Sequence, residues 1–349
     1  MTGDGDRDRI DREIIELLSR RSDLFIQRLK SEPESDTIVA AERSRLFALI
    51  EESNRGPLPH DIFKRIFTDI LSGAQAAVAP VTVAFLGPEG TFTNIAVNEL
   101  FGESFVPRPQ RAMRDVFQQV EAGAARYGVV PIENSTEGSV TYTLDELIET
   151  SLSIIAEQYV RITYSLLSRG GDMESITKIY SHPQTLGQCK GWIRINLPGA
   201  EIISVESTSR AAEIAAREDG TAAIASGIAA EIYGLKTLAT MIEDSRQNYT
   251  RFFLIGSRSG GPTGNDKTSI VCAVKDKPGA LLGILRPFSD AGINMTRIES
   301  RPDKKKMWEY IFFIDFLGHM NDDIVNKALN KIKSETIFLK ILGSYPVGS

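Results

Sequence analysis

Residues 81–93 read Val-Thr-Val-Ala-Phe-Leu-Gly-Pro-Glu-Gly-Thr-Phe-Thr, an apolar run that passes into a polar loop with two glycines. Such an apolar run is typical of a strand that is covered on both faces of a parallel sheet. The hydroxyl side chains at the end of the loop are of a type that often begins a helix. The stretch therefore predicts a β-strand that leads through a polar loop into an α-helix.

The same pattern recurs three times further along the chain. Apolar runs lead into the polar loops Glu-Asn-Ser-Thr-Glu-Gly (133–138), Ser-His-Pro-Gln (181–184) and Glu-Ser-Thr-Ser (206–209). Strands that alternate with helices predict parallel α/β units, in which ligands bind beyond the carboxyl ends of the strands. Hydroxyl and N–H groups at helix starts can hold a carboxylate or a phosphate. Each loop alone is more often an ordinary helix cap, but together they predict a shared anion site.

A further stretch, Asp-Ser-Arg-Gln-Asn-Tyr-Thr-Arg-Phe-Phe-Leu-Ile-Gly at 244–256, takes a polar run into a short apolar strand. A hydroxyl and a guanidinium at the start of a strand, Thr250 and Arg251, suit an anionic substrate. The alternative is an ordinary edge strand in which threonine serves β propensity. Because successive strand side chains point to opposite faces, Arg251 either contacts substrate or pairs with an acid behind the strand.

The segment before this region has a helical period. Residues 8–78 predict three helices, the third from about Asp61 to Gln75, and so small a segment is expected to dimerise. The apolar positions of the first helix are Ile10, Ile14, Leu17, Leu24, Phe25 and Leu29.

The segment after the α/β region begins with a glycine-rich linker at 257–267. Strands and helices then follow in the order βαββαβ, which is the order of a ferredoxin-like unit. We therefore predict a multidomain chain with an all-α segment at 1–78, an α/β domain at 81–257 and an α+β ferredoxin-like domain at 268–347.

The composition argues against several classes of partner. The chain of 349 residues is 42% hydrophobic and 25% charged with a net charge of -6, which disfavours nucleic acid and anionic membranes as main partners. Residues 1–11 are acidic and polar, and no apolar run reaches the roughly 18 residues of a membrane span, so a cytoplasmic location is predicted. Two cysteines and three scattered histidines predict neither a disulfide nor a metal site, and we expect no cofactor.

Several motifs resemble those of the prephenate dehydratase family. They are Gly-Pro-Glu-Gly-Thr-Phe at 87–92, Val-Val-Pro-Ile-Glu-Asn-Ser at 129–135, Ser-His-Pro-Gln at 181–184 and Asn-Tyr-Thr-Arg-Phe at 248–252. Lys-Pro-Gly-Ala-Leu at 277–281 and Glu-Ser-Arg-Pro at 299–302 resemble the phenylalanine-sensing ACT domain of the same enzymes. Residues 8–78 resemble the helical chorismate mutase domain of bifunctional P-proteins.

The resemblance implies a two-lobed dehydratase, similar to a type II periplasmic binding protein, that converts prephenate into phenylpyruvate, carbon dioxide and water. It implies that Thr250 is the essential group, and we hypothesise that its hydroxyl donates a hydrogen bond to the departing oxygen. Glu133 is less expected beside a dianion, unless it is protonated or orients a neighbour, and His182 suits a structural role as well as a ligand's. The candidate substrate ligands are Thr91, Glu133, Asn134, Ser135, His182, Thr208, Ser209, Arg251 and Phe252.

In the helical segment, the resemblance implies cations that grip the two carboxylates of chorismate. Arg21 occupies an apolar position of the first helix, where a buried guanidinium needs an anionic partner. Arg28 and Lys30 are candidates for a lysine that the family has and this chain lacks. Arg43 is the fourth candidate, although the run Glu-Arg-Ser-Arg at 42–45 leaves the register of the family's Arg-Glu pair ambiguous. The segment is therefore either an active mutase or an assembly module.

The C-terminal domain is expected to bind L-phenylalanine and to inhibit the dehydratase within a homodimer or tetramer. A glycine before a helix allows close backbone approach, and a helix N-terminus suits the carboxylate of a free amino acid. The candidate effector ligands are Gly279, Ala280, Leu281, Asn294, Glu299 and Ser300. Two alternatives remain open: an arogenate dehydratase, and a non-catalytic cytoplasmic sensor of an amino acid or keto acid.

Overall fold

The computed structural model describes residues 3–31, 38–258, 260–275, 277–302 and 310–348. The helices are α1 (Gly3–Ser31), α2 (Ile38–Ser53), α3 (His60–Val78), α4 (Phe92–Phe101), α5 (Met113–Glu121), α6 (Thr141–Glu149), α7 (Pro183–Gln188), α8 (Lys190–Asn196), α9 (Thr208–Ala215), α10 (Gly227–Tyr233), α11 (Ala280–Asp290) and α12 (Asp323–Glu335). The strands are β1 (Thr82–Leu86), β2 (Val106–Gln110), β3 (Tyr127–Asn134), β4 (Gly138–Ser139), β5 (Ser153–Arg161), β6 (Ser165–Ser168), β7 (Lys178–Ser181), β8 (Glu201–Ser204), β9 (Thr221–Ala225), β10 (Lys236–Thr240), β11 (Tyr249–Gly256), β12 (Asp266–Val274), β13 (Met295–Pro302), β14 (Tyr310–Leu317) and β15 (Phe338–Pro346).

The N-terminal segment forms the three predicted helices, but their shared core is small. Phe25 and Leu29 of α1 are buried against residues of α2 and α3. The other four apolar positions predicted on α1 are exposed in this chain: Ile10, Ile14, Leu17 and Leu24. These four side chains leave an exposed apolar stripe along α1.

The α/β region folds into two lobes, each built on its own sheet. The first lobe has the strand order β2-β1-β3-β11-β5, and the second has the order β10-β6-β9-β7-β8. The chain crosses between the lobes twice, at 162–164 and 241–248, and the two crossings run side by side, with Ile162 N donating to Asn248 O at 2.8 Å. The prediction of parallel units is only partly right, because β11 runs antiparallel to β3 and β5. This direction brings the start of β11 beside the carboxyl end of β3.

The C-terminal residues form an antiparallel sheet with the order β13-β14-β12-β15, and its elements follow in the predicted order βαββαβ. One face packs on α11 and α12 through residues such as Ile270, Ile284 and Phe288. The other face packs on the first lobe, where Phe313 and Tyr345 join the same apolar cluster as residues of β3, β5 and β11. The C-terminal sheet is therefore attached to the lobe that carries Thr250.

Gly343 lies at this contact between the sheets. A Cβ atom at this position would overlap the carbonyl oxygen of Ile154 and would lie 2.8 Å from its nitrogen. We expect Gly343→Ala to lower the free energy of unfolding by roughly 1–3 kcal/mol, because the backbones of β15 and β5 must separate to admit the methyl group. Urea denaturation measures the change.

Gly227→Ala is the matched control, because a Cβ there meets no atom within 4 Å. Equal stability of the two variants would contradict the close approach of β15 to β5.

Candidate active site

The start of β11 and the end of β3 meet at a hydrogen bond between Asn134 and Thr250. The two residues are register partners, and Asn134 Nδ2 lies 2.8 Å from Thr250 Oγ1 and 2.8 Å from Asn248 Oδ1. The amide oxygen of Asn134 accepts from Thr136 N at 2.9 Å and from Glu137 N at 3.0 Å. Because an amide oxygen only accepts, these two backbone donors fix the orientation of the side chain and make Nδ2 the donor to Thr250.

This arrangement orients the hydroxyl of Thr250. Its oxygen accepts from Asn134, so its own proton is directed toward another acceptor. The side chain is buried, with the residue 9% exposed, and a hydrogen bond donated in such a place is less weakened by competing water. The geometry is that of a preoriented neutral donor.

A chain of polar side chains continues from this pair into the second lobe. Asn248 Nδ2 donates to Gln188 Oε1 at 3.1 Å, and Gln188 Nε2 donates to Glu137 Oε1 at 3.3 Å. Gln188 ends α7 of the second lobe, whereas Glu137 follows β3 of the first. The donor site is thus tied to the relative position of the two lobes. Sequence reasoning did not identify Gln188. The Asx turn at Asn134, by contrast, has a local signal in the run Asn-Ser-Thr-Glu.

The lobes also meet at the glycine loop that follows β1. Ser226 Oγ donates to Gly90 O at 2.6 Å across the cleft. A Cβ on Gly90 would lie 3.5 Å from Ser209 Oγ, so the start of α9 faces the same loop. Ser209 Oγ is buried and has no hydrogen-bond partner among the described residues. A buried hydroxyl without a partner is costly, which favours a bound group at this position.

Of four other predicted ligands, three use their side chains to cap a helix or to bond to the nearby backbone, and the fourth lies next to a helix cap. Thr91 caps α4, accepting from Asn94 N at 3.3 Å. Ser135 Oγ donates to Gln247 O at 3.1 Å and accepts from Tyr249 N at 3.0 Å, which joins the β3 loop to the start of β11. His182 caps α7 through Nδ1, the structural role that was one of its two interpretations. Thr208 is half-buried at the first position of α9, whose cap is Ser207.

Arg251 does not face Thr250, and its placement as a substrate ligand is corrected. Its guanidinium lies behind the strand, with Nε 2.8 Å from Glu157 Oε2, Nη1 2.5 Å from Asp315 Oδ2 and Nη2 3.0 Å from the hydroxyl of Tyr345. Of the two alternatives that strand alternation allowed, the structure has the pairing with acids.

Two further predicted ligands are directed elsewhere. Glu133 is the register partner of Arg251 and shares its face, where Glu133 Oε2 lies 3.0 Å from Arg297 Nε of the C-terminal sheet. Phe252 is 1% exposed and belongs to an apolar cluster that contains residues of both lobes, since the strand has already entered the apolar interior at that residue.

In the helical segment, guanidinium groups surround Glu42. Arg21 Nη2 lies 3.1 Å from Glu42 Oε1, Arg45 Nη2 lies 2.7 Å from the same oxygen, and Arg28 Nη1 lies 3.7 Å from Oε2. Arg21 Nη1 is buried without a hydrogen-bond partner among the described residues. Three cations around one carboxylate leave a net positive site between α1 and α2, which suits a second anion.

Two of the predicted mutase ligands lie outside this cluster. Arg43 points to the carboxyl end of α4, where its Nη1 donates to Leu100 O at 3.2 Å. Of the two arginines in the run 42–45, it is Arg45 that contacts Glu42. Lys30 is exposed on α1, and a residue two positions from Arg28 lies on a different side of the helix.

The predicted effector ligands lie on two elements of the C-terminal domain. Gly279 has a φ of 82° and precedes α11, so the backbone there adopts the left-handed conformation that favours glycine. In the sheet formed by the described residues, β13 is an edge strand. The effector candidates are Gly279, Ala280 and Leu281 at the start of α11, and Asn294, Glu299 and Ser300 in or directly before β13.

The described part of the chain contains no group of three or more His, Cys, Asp or Glu side chains that could hold a metal ion. Burial raises the pKa of the Cys189 and Cys272 thiols to about 12, so neither is a thiolate at neutral pH. None of the helices among these residues is long and apolar enough to span a membrane.

Comparison with known proteins extends over nearly the whole chain. The family profile described as prephenate dehydratase matches residues 83–260, and that of the ACT domain matches residues 268–334. The bifunctional chorismate mutase/prephenate dehydratase of Aquifex aeolicus is 45% identical over 345 residues, 97% of this chain and 95% of that protein. A prephenate dehydratase of Mycobacterium sp. (strain JLS) is 35% identical but covers only 76% of this chain, and 89% of its own length. The crystal structure of a prephenate dehydratase from Arthrobacter aurescens in complex with L-Phe superimposes with a TM-score of 0.71 at 37% identity, covering 76% of this chain and 90% of that one.

The guanidinium cluster predicts a pH-dependent contribution to stability. Burial opposes ionisation of Glu42, but the hydrogen bond and charge of Arg45 and the charges of Arg21 and Arg28 outweigh it and hold its pKa below the ordinary value of 4.5. The stabilisation is therefore complete above pH 4.5 and is lost as the pH falls through the lower folded-state pKa. At pH 7 we expect Glu42→Gln to lower the free energy of unfolding by about 1–3 kcal/mol, because the charged hydrogen bonds are lost.

Urea denaturation at several pH values, followed by circular dichroism, tests this. Glu52→Gln, an exposed position on the same helix, is the control. A difference between wild type and Glu42→Gln that stayed constant from pH 7 to pH 3 would contradict the assignment.

Proposed function

Because the chain belongs to the family of bifunctional chorismate mutase/prephenate dehydratases, we propose that it converts prephenate into phenylpyruvate, carbon dioxide and water at the Asn134–Thr250 pair. The hydrogen bond from Asn134 to Thr250 carries this proposal, since it leaves the hydroxyl proton available for the departing oxygen. The two lobes and their two crossing segments support a cleft of the type II periplasmic-binding-protein kind around the site.

The reaction needs little from the protein beyond orientation and one donor. The electron pair of the bond between ring and carboxylate becomes part of the aromatic ring, and carbon dioxide leaves. The electron pair of the ring C–O bond leaves with the hydroxyl oxygen, to which Thr250 donates its hydrogen bond. The departing hydroxide then takes a proton from solvent and becomes water. A donor oriented before the reaction stabilises this developing charge without reorganising.

The substrate carboxylates are the groups for which the cleft must provide partners. Ser209 Oγ, buried without a partner among the described residues, is our first candidate, and it lies in the first turn of α9. Asn134, Thr91, Ser135, His182 and Thr208 remain candidates through N–H groups or rearranged hydroxyls. We do not propose Arg251, Phe252 or Glu133 as carboxylate ligands, because Arg251 and Glu133 pair with other charged groups and Phe252 is buried among apolar residues.

For residues 1–78 we propose chorismate mutase activity, which would make prephenate for the dehydratase. Relatives that align over 97% of the chain are named as bifunctional, whereas those that align over 76% are named as dehydratases alone. The cluster of Arg21, Arg28 and Arg45 supports the binding of a second dianion. Chorismate is thus the proposed second substrate.

For the C-terminal domain, at 268–347, we propose L-phenylalanine as the effector of the dehydratase domain at 81–257. The likeness to a structure determined with L-Phe supports this, as does an element order that fits a ferredoxin-like ACT domain. The exposed stripe of α1 and the edge strand β13 support a homodimer or tetramer. A cytoplasmic location remains the prediction from sequence.

Replacing Thr250 tests the dehydratase proposal. We expect Thr250→Ala to lower kcat for prephenate at least about a hundredfold with little change in KM, because the donor acts mainly in the transition state. Thr250→Ser keeps the hydroxyl and should retain most of the activity. Phenylpyruvate formation in purified protein measures both, with Thr240→Ala on the exposed strand β10 as the control.

Near wild-type kcat in Thr250→Ala would remove Thr250 from the mechanism. Assays with prephenate and arogenate at matched concentration decide between the two dehydratase substrates. Binding of either compound without turnover would favour a sensor.

Supplying chorismate as the only substrate tests the mutase proposal. Wild type should form phenylpyruvate, and Arg21→Gln should lose this activity while converting supplied prephenate at the wild-type rate. We expect the variant to lose one activity and keep the other because Arg21 lies in the helical segment and not in the dehydratase domain. Turnover of prephenate without turnover of chorismate in the wild type would make that segment an assembly module.

A further inference from the structure

Two cross-strand pairs of opposite charge face each other where the C-terminal sheet packs on the first lobe. Glu133 and Arg251 are register partners in β3 and β11, and Arg297 and Asp315 are register partners in β13 and β14. Arg251 Nη1 lies 2.5 Å from Asp315 Oδ2, and Arg297 Nε lies 3.0 Å from Glu133 Oε2. We call these four residues the charge quartet.

The charge quartet lies one register position from the donor pair. Asn134 follows Glu133 in β3, and Thr250 precedes Arg251 in β11, so each strand contributes one residue to each face. The donor pair faces the cleft, and Glu133 and Arg251 face the C-terminal sheet. A shift of the quartet therefore moves the backbone that positions Asn134 and Thr250.

One hydrogen bond also ties Arg297 to the loop that holds Asn134. Its Nη2 donates to Ser139 Oγ at 2.6 Å, and Ser139 is the register partner of Glu133 in β4. Arg297 thus contacts both ends of the hairpin 133–139, within which Thr136 and Glu137 fix the amide of Asn134. Its side chain is 9% exposed, so these contacts are shielded from water.

The strand that carries Arg297 also carries proposed effector ligands. Glu299 and Ser300 follow it in β13, and Glu299 Oε2 lies 3.9 Å from Arg297 Nη2. A cationic ligand group that engaged Glu299 would change the electrostatic surroundings of Arg297. Arg297 therefore lies between the proposed effector ligand Glu299 and the hairpin that carries Asn134.

We propose that Arg297 is a positioning residue for the dehydratase site: it holds the hairpin 133–139 from the C-terminal sheet and transmits phenylalanine binding to Asn134 and Thr250. This inference rests on the proposed function. It assigns Glu133 a role in coupling the two domains instead of substrate binding.

The test compares dehydratase turnover with and without phenylalanine in the full-length protein, at a phenylalanine concentration shown by calorimetry to saturate each variant. In Arg297→Gln we expect phenylalanine to bind, but the fraction of activity that remains at saturation to rise at least about fivefold over wild type. Arg297→Lys, which keeps the charge, should restore most of the inhibition. Lys340→Gln is the matched control, because Lys340 Nζ also joins the C-terminal sheet to this lobe, donating to Leu147 O and Ile148 O at 2.9 Å, away from the hairpin.

Glu133→Gln breaks the same ion pair by changing Glu133, its more exposed member. If Arg297→Gln does not fold, the activity of Glu133→Gln that remains at saturating phenylalanine tests the inference. When both fold, the double variant should be inhibited no less than either single variant, because the two changes break one contact.

Wild-type inhibition in Arg297→Gln, or equal relief in Lys340→Gln, would overturn the inference. So would loss of phenylalanine binding in Arg297→Gln, since Arg297 would then be an effector ligand. A wild-type protein that converts prephenate but is not inhibited would overturn the inference and leave the dehydratase function standing. A wild type without turnover would refute the proposed function and the inference with it.

Discussion

The buried guanidinium of Arg251 is the contact on which the attachment of the C-terminal sheet depends. It bonds to Glu157 of its own lobe and to Asp315 and Tyr345 of the C-terminal sheet. Burial lowers the pKa of Arg251, but the charges of its neighbours outweigh that effect and keep the pKa above its ordinary value. Lys267 Nζ donates to the second oxygen of Glu157 at 2.6 Å, so the buried charges are balanced. Removing one of these partners while the sheets stay packed would leave the opposite charge buried and unpaired, which is expensive.

The same constraint explains why Thr250 is held so firmly. Adjacent strand residues point to opposite faces, so Thr250 reaches the cleft because Arg251 is fixed behind it. The hydroxyl then needs only one further contact, from Asn134, to orient its proton. The second lobe contacts the glycine loop through Ser226, places Ser209 beside that loop, and reaches the donor pair through Gln188. A neutral site of this kind obtains its chemistry from orientation more than from charge.

Local sequence patterns predicted most of the elements and marked Thr250 and Asn134 separately as candidates, because those signals depend on neighbouring residues. The hydrogen bond between the two joins positions 116 residues apart and was not predicted. The apolar runs, the turn at Asn134 and the strand start at Thr250 can each be read within a few positions. The face of Arg251 could not be predicted, because alternation offers two faces and only the packing of a distant sheet selects one. The different contacts of Arg43 and Arg45 have the same origin, since packing places Arg45 beside Glu42 and Arg43 against the end of α4. The exposed stripe of α1 is a third case, because an apolar period does not say which molecule will cover it.

The position of β11 within the first sheet affects how the chain reaches its native state. This strand lies between β3 and β5, yet the whole second lobe separates it from them in sequence. During synthesis from the N-terminus, the first lobe therefore lacks a central strand until residues 249–256 have left the ribosome, whereas the second lobe is contiguous and can form earlier. Until then β3 and β5 have unpaired edges, which are prone to pair with other chains. Rapid production of this protein without chaperones would thus expose its catalytic lobe, more than the other, to aggregation.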